Sequence, residues 1–356
     1  MSRIVVKVGS NVLTRKDGKP NITNMSALVD QIVMLRELGH EIILVSSGAV
    51  ACGKSVIHPR KDLNPIAARQ LYSAVGQIKL INLYAQFFNA YGVVSGQILT
   101  QKENFSSRLA YLNQRSCMLT MLENGIVPVV NENDTASLTE LMFTDNDELS
   151  GLIATMIDAD IMVILSNIDG IFTGLPHEEG SKLIETINPG EDVSRFIKDT
   201  KSSHGRGGMH TKFGIASKVA SEGIQVFIAN GERRNVLFNL IENPDKVPHT
   251  RFLPSEAALS TVKRWIAHSG SFSKGKVHIN NYAQEALLSD KVVSLLPIGV
   301  TGVEGNWEEG EIISIIGPDG NYLGVGKANF DHLQALEMIG KHGKKPLIHY
   351  DYLYLE

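Results

Sequence analysis

Residues 3–14 read RIVVKVGSNVLT, and this stretch decides how the rest of the chain is interpreted. Its first six residues hold one isoleucine and three valines, a run that is typical of a strand buried on both faces of a sheet. Lys7 interrupts the run. Because an unpaired ammonium group is costly to bury, Lys7 must either reach water from the strand end or meet an anion. Gly9 lies two residues after Lys7 and leaves room for a phosphate.

Composition limits the classes of protein to which the chain can belong. Its 356 residues are enough for two domains, and a hydrophobic content of 43% is that of a globular protein. A formal net charge of −4 gives no electrostatic reason to expect nucleic acid or membrane as the main partner. Two cysteines without a CxxC motif suit a reducing cytosol and argue against a structural metal site. The longest apolar run, IMVIL, is far shorter than the roughly 20 residues of a membrane span. We therefore expect a soluble, cytoplasmic protein.

Strand-like runs alternate with helical patterns over about the first 240 residues. The runs lie at 4–8, 41–45, 92–99, 126–130, 161–165 and 224–228. The helical patterns carry end signals: Asn64 and Pro65 begin one helix, and helices stop at Gly39, Gly92 and Gly125. This alternation predicts an α/β fold, a mostly parallel open sheet with helices on both faces.

The pattern changes after residue 250. Short strand-like runs dominate from residue 273, and PDG at 318–320 lies between two of them as a hairpin turn. We predict an α/β catalytic domain over 1–250, a linker with one helix over 251–272, and a small β-rich domain over 273–356.

Ligands of parallel α/β sheets bind beyond the carboxyl ends of the strands. Small or polar residues follow five of the predicted strands, as GSN, SSGA, NEND, SNIDG and ANG. Neither a GxGxxG nor a Walker A motif is present. A different glycine-rich loop, at 205–208, precedes a helix with Lys212 in its first turn. Such a loop favours phosphate binding, although a flexible loop with a solvated lysine explains it equally well.

Acid and amide side chains are concentrated between residues 131 and 147. Asp134, Asp145 and Asp147 lie there among asparagines, and this set is suited to binding a substrate ammonium group, holding Mg²⁺ or fixing catalytic lysines. The structural alternative is that Thr144 and Asp147 form a capping box at a helix start. With two lysines and a glycine-rich helix start, the acid and amide groups favour phosphoryl transfer.

Six motifs together resemble the glutamate 5-kinases of the amino acid kinase superfamily: VVKVGSNVLT, ILVSSGAVACG, VPVVNENDTAS, FTDNDELSGLIA, LSNIDGIFTG and GRGGMHTK. NEND and DNDELS are the more specific parts. The segment SLLPIGVTGVEGNWEEGE near the C-terminus resembles the PUA domain of many bacterial members.

The resemblance implies transfer of a phosphoryl group from ATP to L-glutamate, with Mg²⁺ required, as the first step of proline biosynthesis. It implies catalytic roles for Lys7, Lys212 and Asp147, with Asp147 orienting the two lysines. Glutamate-binding positions are Ser47, Asp134 and Asn146, and Gly9 and Gly48 are expected to offer backbone N–H donors. The positions implied for ATP are Lys7, Gly9, Ser166, Asn167, Arg206, Gly207, Gly208, Met209, His210, Thr211 and Lys212.

The resemblance also implies inhibition by L-proline. It further implies assembly into a homo-oligomer, either a dimer or a tetramer. Three departures from the family pattern fall in the nucleotide-binding region: Asn167 and Arg206 stand in place of Asp and Thr, and TGLPHE at 173–178 replaces an Asp-Pro-Arg segment.

PUA domains elsewhere bind RNA, so a non-catalytic RNA-binding protein is a rival hypothesis. Residues 273–356 contain seven Lys, no Arg and eleven Asp plus Glu, which gives a net charge of −4. This negative charge disfavours binding to the phosphate backbone of RNA. A sibling kinase acting on another carboxylate or on carbamate is the second rival.

Overall fold

The computed structural model describes residues 1–106, 108–136, 145–176, 178–197, 208–256, 266, 273–289 and 293–355. They form two compact units, one of Met1–Gln101 with Arg115–Ala258 and one of Lys102–Gln114 with Leu259–Glu356. The predicted linker helix lies almost wholly outside the described residues, and the domain boundaries at 250 and 272 stay predictions.

The first unit is built on an eight-stranded sheet in the order β3-β4-β2-β1-β5-β7-β8-β6. The six strands from β3 to β7 pair in parallel, β7 and β8 are antiparallel, and β8 and β6 are parallel. The predicted fold class is therefore confirmed. The strands are β1 (Arg3–Val8), β2 (Glu41–Ser46), β3 (Ser95–Thr100), β4 (Val127–Glu132), β5 (Ile161–Ser166), β6 (Thr186–Ile187), β7 (Gln225–Asn230) and β8 (His249–Phe252).

Helices separate these strands in the chain. They are α1 (Ser10–Leu13), α2 (Ile22–Glu37), α3 (Ala49–Lys54), α4 (Pro65–Asn89), α5 (Glu103–Ser106), α6 (Arg108–Glu123), α7 (Asn146–Met156), α8 (Met209–Ser221) and α9 (Val236–Glu242). The predicted start of α4 is confirmed, since Asn64 Oδ1 accepts a hydrogen bond from the Ala67 N–H and Pro65 is the first helical residue. Gly92 lies in the turn after α4 at φ +67°, so β3 starts later than predicted.

Alternation along β1 decides where Lys7 points. Ile4, Val6 and Val8 join the core formed with α2 and α4. Val5 and Lys7 therefore face the other side of the sheet, where α7 packs against β1 and α8 packs against α7. Two short strands, β6 and β8, were not predicted, because β6 has two residues and β8 four.

The second unit holds a five-stranded sheet in the order β10-β9-β11-β12-β13. Its elements are β9 (Gly275–Ile279), α10 (Asn281–Leu287), β10 (Val300–Gly305), β11 (Ile312–Ile316), β12 (Tyr322–Ala328), α11 (His332–Met338) and β13 (Ile348–Leu355). The predicted turn at 318–320 is confirmed, since β11 and β12 are antiparallel and Gly320 lies at φ +77°. Trp307 is buried in the core, with its indole N–H donating to the Phe330 carbonyl. Over the described ranges of both units, no helix is long and apolar enough to cross a bilayer.

Candidate active site

One buried carboxylate holds two lysines at the carboxyl end of β1. Lys7 Nζ lies 2.6 Å from Asp147 Oδ1, and Lys212 Nζ lies 2.9 Å from Asp147 Oδ2. Asp147 is fully buried, and the lysines are 5% and 9% exposed. The anion that Lys7 meets inside the protein is therefore Asp147, and its side chain does not run out to solvent.

Three separate elements bring these groups together. Lys7 comes from the central strand, Asp147 from the first turn of α7, and Lys212 from the first turn of α8. Gly208 is the N-cap of α8 and, having no side chain, gives this helix no side-chain cap. A helix N-terminus without a side-chain cap favours an incoming anion, in keeping with the helix dipole.

The charges around Asp147 decide its ionisation. Burial by itself would raise the pKa of Asp147, but the two ammonium groups outweigh burial and hold the pKa well below its ordinary value. Asp145 behaves in the opposite way. Burial and the negative charge of Asp147 raise the pKa of Asp145 to about 6, against the pull of the two lysines. Two carboxylates two residues apart thus have opposite preferences for a proton.

The start of α7 corrects one expectation. Asp145 is the N-cap, and its Oδ1 accepts hydrogen bonds from the N–H groups of Asp147 and Glu148 at 2.8 and 3.2 Å. The structural alternative, a capping box of Thr144 and Asp147, is therefore wrong, because the acid that caps the helix is Asp145. Thr144 lies outside the described residues. Asp147 is left to pair with the lysines.

Amide groups connect the lysine cluster with the neighbouring strand ends. Asn146 Nδ2 donates to Ser47 Oγ at 2.9 Å and to Asn131 Oδ1 at 3.1 Å. Asn131 Nδ2 in turn donates to Gln77 Oε1 at 2.9 Å. Two of the three predicted glutamate positions, Ser47 and Asn146, are thus in direct contact.

The third predicted glutamate position, Asp134, lies in a separate ionic cluster. Its Oδ1 accepts hydrogen bonds from Arg69 Nε, at 2.8 Å, and from Arg69 Nη2, and its Oδ2 accepts one from Ser73 Oγ at 2.8 Å. Arg69 Nη2 also donates to Glu132 Oε2 at 3.0 Å.

Sequence reasoning missed the contribution of α4. Arg69, Ser73 and Gln77 are spaced four residues apart and share one face of the helix, turned to the end of β4. The signal was present in the sequence as a polar stripe, but nothing in the sequence shows which strand end the stripe meets.

The two glycines predicted as N–H donors, Gly9 and Gly48, have different backbone environments. The Gly9 N–H donates to the Leu165 carbonyl at 3.0 Å, so the expectation of a free donor at Gly9 is wrong. A Cβ at Gly9 would lie 3.5 Å from Lys7 Nζ, and the missing side chain leaves room beside the ammonium group. Gly48, by contrast, lies at φ +106°, a conformation that favours glycine, directly before α3.

A single cavity of about 760 Å³ brings these groups to one surface. It is lined by residues from every cluster described above: Lys7, Gly9, Ser47, Gly48, Arg69, Asn131, Glu132, Asp134, Asp145, Asn146, Asp147, Ser166, Asn167 and Lys212. All three catalytic candidates and all three predicted glutamate positions face this cavity.

A sequence profile of the amino acid kinase family matches residues 2–230, and one of the PUA domain matches residues 275–350. The chain belongs to the amino acid kinase family. It is 59% identical over 355 residues to the glutamate 5-kinase of Bacteroides thetaiotaomicron, covering 100% of this chain and 99% of the relative. It is 46% identical to the glutamate 5-kinase of Chlorobaculum tepidum, covering 99% and 97%. The resemblance drawn from the motifs is confirmed.

A solved structure supports the amino acid kinase fold. Carbamate kinase from Giardia lamblia bound to AMP-PNP superposes with a TM-score of 0.52 at 14% identity, covering 71% of this chain and 99% of that one. At this identity the likeness concerns the fold alone.

The predicted nucleotide positions of this amino acid kinase are only partly described. Ser166 ends β5 and Asn167 follows it, with the Ser166 hydroxyl 3.4 Å from Asn167 Oδ1. Gly208 is the N-cap of α8, and Met209, His210 and Thr211 form its first turn with Lys212. Arg206 and Gly207 lie outside the described residues, and so does His177 of the TGLPHE segment.

The carboxylates of the described residues decide whether the cavity fits Mg²⁺. None of them form a group of three or more His, Cys, Asp or Glu side chains arranged as metal ligands. Asp147 is taken by the lysines, whereas Asp145 Oδ2 is buried and accepts no hydrogen bond from any residue within the described ranges. Mg²⁺ in phosphoryl-transfer enzymes is bound through one or two carboxylates and the substrate phosphates. A free, buried carboxylate oxygen in the cavity fits an ion of that kind.

Proposed function

We propose that this chain is a glutamate 5-kinase, which transfers the γ-phosphoryl group of ATP to the γ-carboxylate of L-glutamate. The products are L-glutamyl 5-phosphate and ADP, and the reaction would be the first step of proline biosynthesis from glutamate. The observation that carries the proposal is the buried carboxylate of Asp147, which holds Lys7 and Lys212 side by side in a cavity that also presents Ser47, Asn146 and Asp134.

The reaction forms one bond and breaks one. A γ-carboxylate oxygen of glutamate attacks the γ-phosphorus of ATP, and the bond from that phosphorus to the β,γ-bridging oxygen breaks, which leaves ADP. A carboxylate is already ionised at neutral pH, so no general base is needed. The obstacle is the approach of one anion to another, and positive charge fixed in a dry site lowers this barrier.

The two lysines supply that charge at different places. In our proposal Lys7 contacts the transferring phosphoryl group, and Lys212, at the N-terminus of α8, neutralises charge on the leaving phosphates. Asp147 positions both ammonium groups. Mg²⁺, bound with the nucleotide, would neutralise further phosphate charge, and Asp145 is the residue that would hold it. Ser166, Asn167 and Gly208 to Thr211 are proposed to contact ATP, and Ser47, Asn146 and Asp134 to bind glutamate.

The test is ADP release with a panel of acceptors: L-glutamate, L-aspartate, N-acetyl-L-glutamate and carbamate. We expect turnover with L-glutamate that depends on ATP and Mg²⁺. Lys7→Met removes the ammonium group and keeps most of the side-chain volume, so kcat should fall by a factor on the order of 10² to 10³. Lys79→Met is the matched control, because Lys79 donates to the Ser55 hydroxyl and is not among the residues that line the cavity.

Two results would contradict the proposal. Turnover of another acid without turnover of glutamate would reject the substrate. A Lys7→Met variant that melts at the wild-type temperature and keeps full activity would reject the role of the lysine pair.

L-Proline is proposed as a feedback inhibitor that occupies the glutamate site, a proposal supported only by the family resemblance. An unchanged rate at millimolar proline with glutamate near its KM would reject it. The homo-oligomeric state and the cytoplasmic location stay predictions. The acidic, arginine-free composition of residues 273–356 continues to disfavour RNA as a partner.

A further inference from the structure

We propose that Arg69 binds the α-carboxylate of the acceptor amino acid and thereby selects acceptors that carry this group. The inference rests on the proposed function and names the part of the substrate that is recognised away from the lysines. It concerns a residue on α4 that none of the six sequence motifs contains.

The first argument is the hydrogen-bonding capacity of the Arg69 side chain. A guanidinium group has five N–H donors. Arg69 uses Nε and Nη2 on Asp134 and Glu132, and its Nη1 donates to no residue in the described parts of the chain. The side chain keeps 22% exposure and lines the cavity. Arg69 therefore keeps the two N–H groups of Nη1 for an acceptor in the cavity, and a ligand carboxylate is an acceptor that forms a charge-assisted hydrogen bond with them.

The second argument is the charge of the cluster. Arg69 contributes one positive charge, and Glu132 and Asp134 contribute two negative charges, so the cluster as a whole is negative. A free carboxylate ligand alone would be repelled by such a cluster, whereas a zwitterion is matched at both of its ends. The α-ammonium group pairs with the surplus negative charge at Asp134, and the α-carboxylate meets Arg69. This composition fits the head group of an α-amino acid better than that of a plain dicarboxylate.

The third argument is the position of the cluster relative to the reacting groups. Asn146, the residue before Asp147, donates to Asn131 at the end of β4, and Glu132 follows Asn131 and accepts a hydrogen bond from Arg69. Asn146, Asn131, Glu132 and Arg69 all line the cavity, so a polar lining runs from the lysine pair to Arg69. The γ-carboxylate would lie at the lysines and the amino acid head group toward Arg69.

A purely positioning role is the competing explanation, because Arg69 also holds Asp134 in place. Three ligands separate the two roles. L-Glutamate carries both head groups, 4-aminobutyrate lacks the α-carboxylate, and glutarate lacks the ammonium group. Their dissociation constants are measured by ligand-observed NMR in the presence of ADP, so that no turnover is needed.

If Arg69 binds the α-carboxylate, Arg69→Gln raises the dissociation constant of L-glutamate by 30-fold or more, on the order of a lost charge-assisted pair. The constant for 4-aminobutyrate changes less than threefold, because that ligand has no group for Arg69 to bind. Arg69→Lys keeps the charge against Glu132 and Asp134 and loses the Nη1 donors of the guanidinium group. It should weaken glutamate binding by an intermediate factor, and it replaces Arg69→Gln if that variant does not fold.

Arg233→Gln is the matched control, because Arg233 pairs with Asp169 and neither residue is among those lining the cavity. It should leave all three constants within twofold of wild type. Equal losses for glutamate and 4-aminobutyrate in Arg69→Gln would overturn the inference and make Arg69 a positioning residue. That outcome leaves the proposed function intact as long as wild type phosphorylates glutamate, so the two failures can be told apart.

Discussion

Asp145 and Asp147 should respond in opposite ways to the same substitution. Asp147→Asn removes the negative charge that pairs with two nearly buried lysines, at 2.6 and 2.9 Å. Removing one partner of a buried ion pair costs about 3–5 kcal/mol, because the remaining charge is left uncompensated. Whole-domain stabilities are about 5–15 kcal/mol, so this loss is large.

Asp145→Asn removes a charge that the fold disfavours. The pKa of Asp145 is raised from 3.8 to about 6. At a pH above both values, that difference corresponds to an unfavourable contribution of about 3 kcal/mol or less. An asparagine keeps the oxygen that caps α7, so the cap is retained. We expect Asp145→Asn to be neutral or stabilising at pH 8.

The sign of the pH dependence of stability follows from the directions of the two pKa shifts, which are opposite for Asp145 and Asp147. Asp145 has a raised pKa, so its favourable contribution is present below about pH 4 and is lost as the pH rises through 6. Asp147 has a lowered pKa, so its contribution is present above about pH 4 and is lost as the pH falls below that value. The stability difference between wild type and Asp145→Asn should therefore open between pH 4 and 6 and stay constant above.

The assay is urea unfolding of the metal-free protein in EDTA, followed by circular dichroism at pH 4.5, 6 and 8. Equal values of m for the variants would show that the same structure unfolds. The reasoning is refuted if Asp147→Asn is within 1 kcal/mol of wild type at pH 8, or if Asp145→Asn is the less stable of the two.

Four further predictions concern packing, hydrogen bonding and surface charge. Gly76→Ala should destabilise the protein by more than about 3 kcal/mol in urea unfolding, because its Cβ would lie 1.8 Å from the Ala49 carbonyl oxygen where α3 and α4 cross. Gly214→Ala in α8 meets nothing within 4 Å and should instead add up to about 1 kcal/mol, and a loss there would contradict the packing argument. Tyr84→Phe removes a buried hydrogen bond of 2.8 Å to Ser46. It should lower the free energy of unfolding by about 1 kcal/mol and leave the m value of urea unfolding unchanged. Arg233→Gln breaks an exposed ion pair and should change stability by less than about 1 kcal/mol, a difference that shrinks further in 0.5 M salt.

Much of the fold could be predicted because its signals are local. The apolar runs of the central strands are short, continuous and bounded by glycine, and the N-cap at Asn64 depends on neighbouring residues only. The short strands β6 and β8 could not be predicted, since too few residues carry their pattern. The cap of α7 could not be decided from the sequence, because both Thr144 and Asp145 are good capping residues and the choice depends on the path of the chain.

The residues of the candidate site also differ in whether the sequence could identify them. Lys7, Asp147 and Lys212 stood out because each is unusual where it occurs: a charge in a buried strand, an acid cluster and a lysine in a first helical turn. Arg69, Ser73 and Gln77 did not stand out, since polar residues on one face of a helix are ordinary. The free donor expected at Gly9 was wrong because the Leu165 carbonyl that accepts its hydrogen bond is distant in sequence.

The sequence by itself determined the type of sheet, the edge of the sheet that carries chemistry and the residue types available there. The tertiary structure alone decided which of these groups meet. Lys7 and Lys212 are 205 positions apart, yet both bind the same carboxylate. Their meeting depends on how β1, α7 and α8 pack, and such long-range packing leaves no trace in the local pattern of any one segment. The physical reason is that burial makes each charge costly by itself, so the three groups are stable only together.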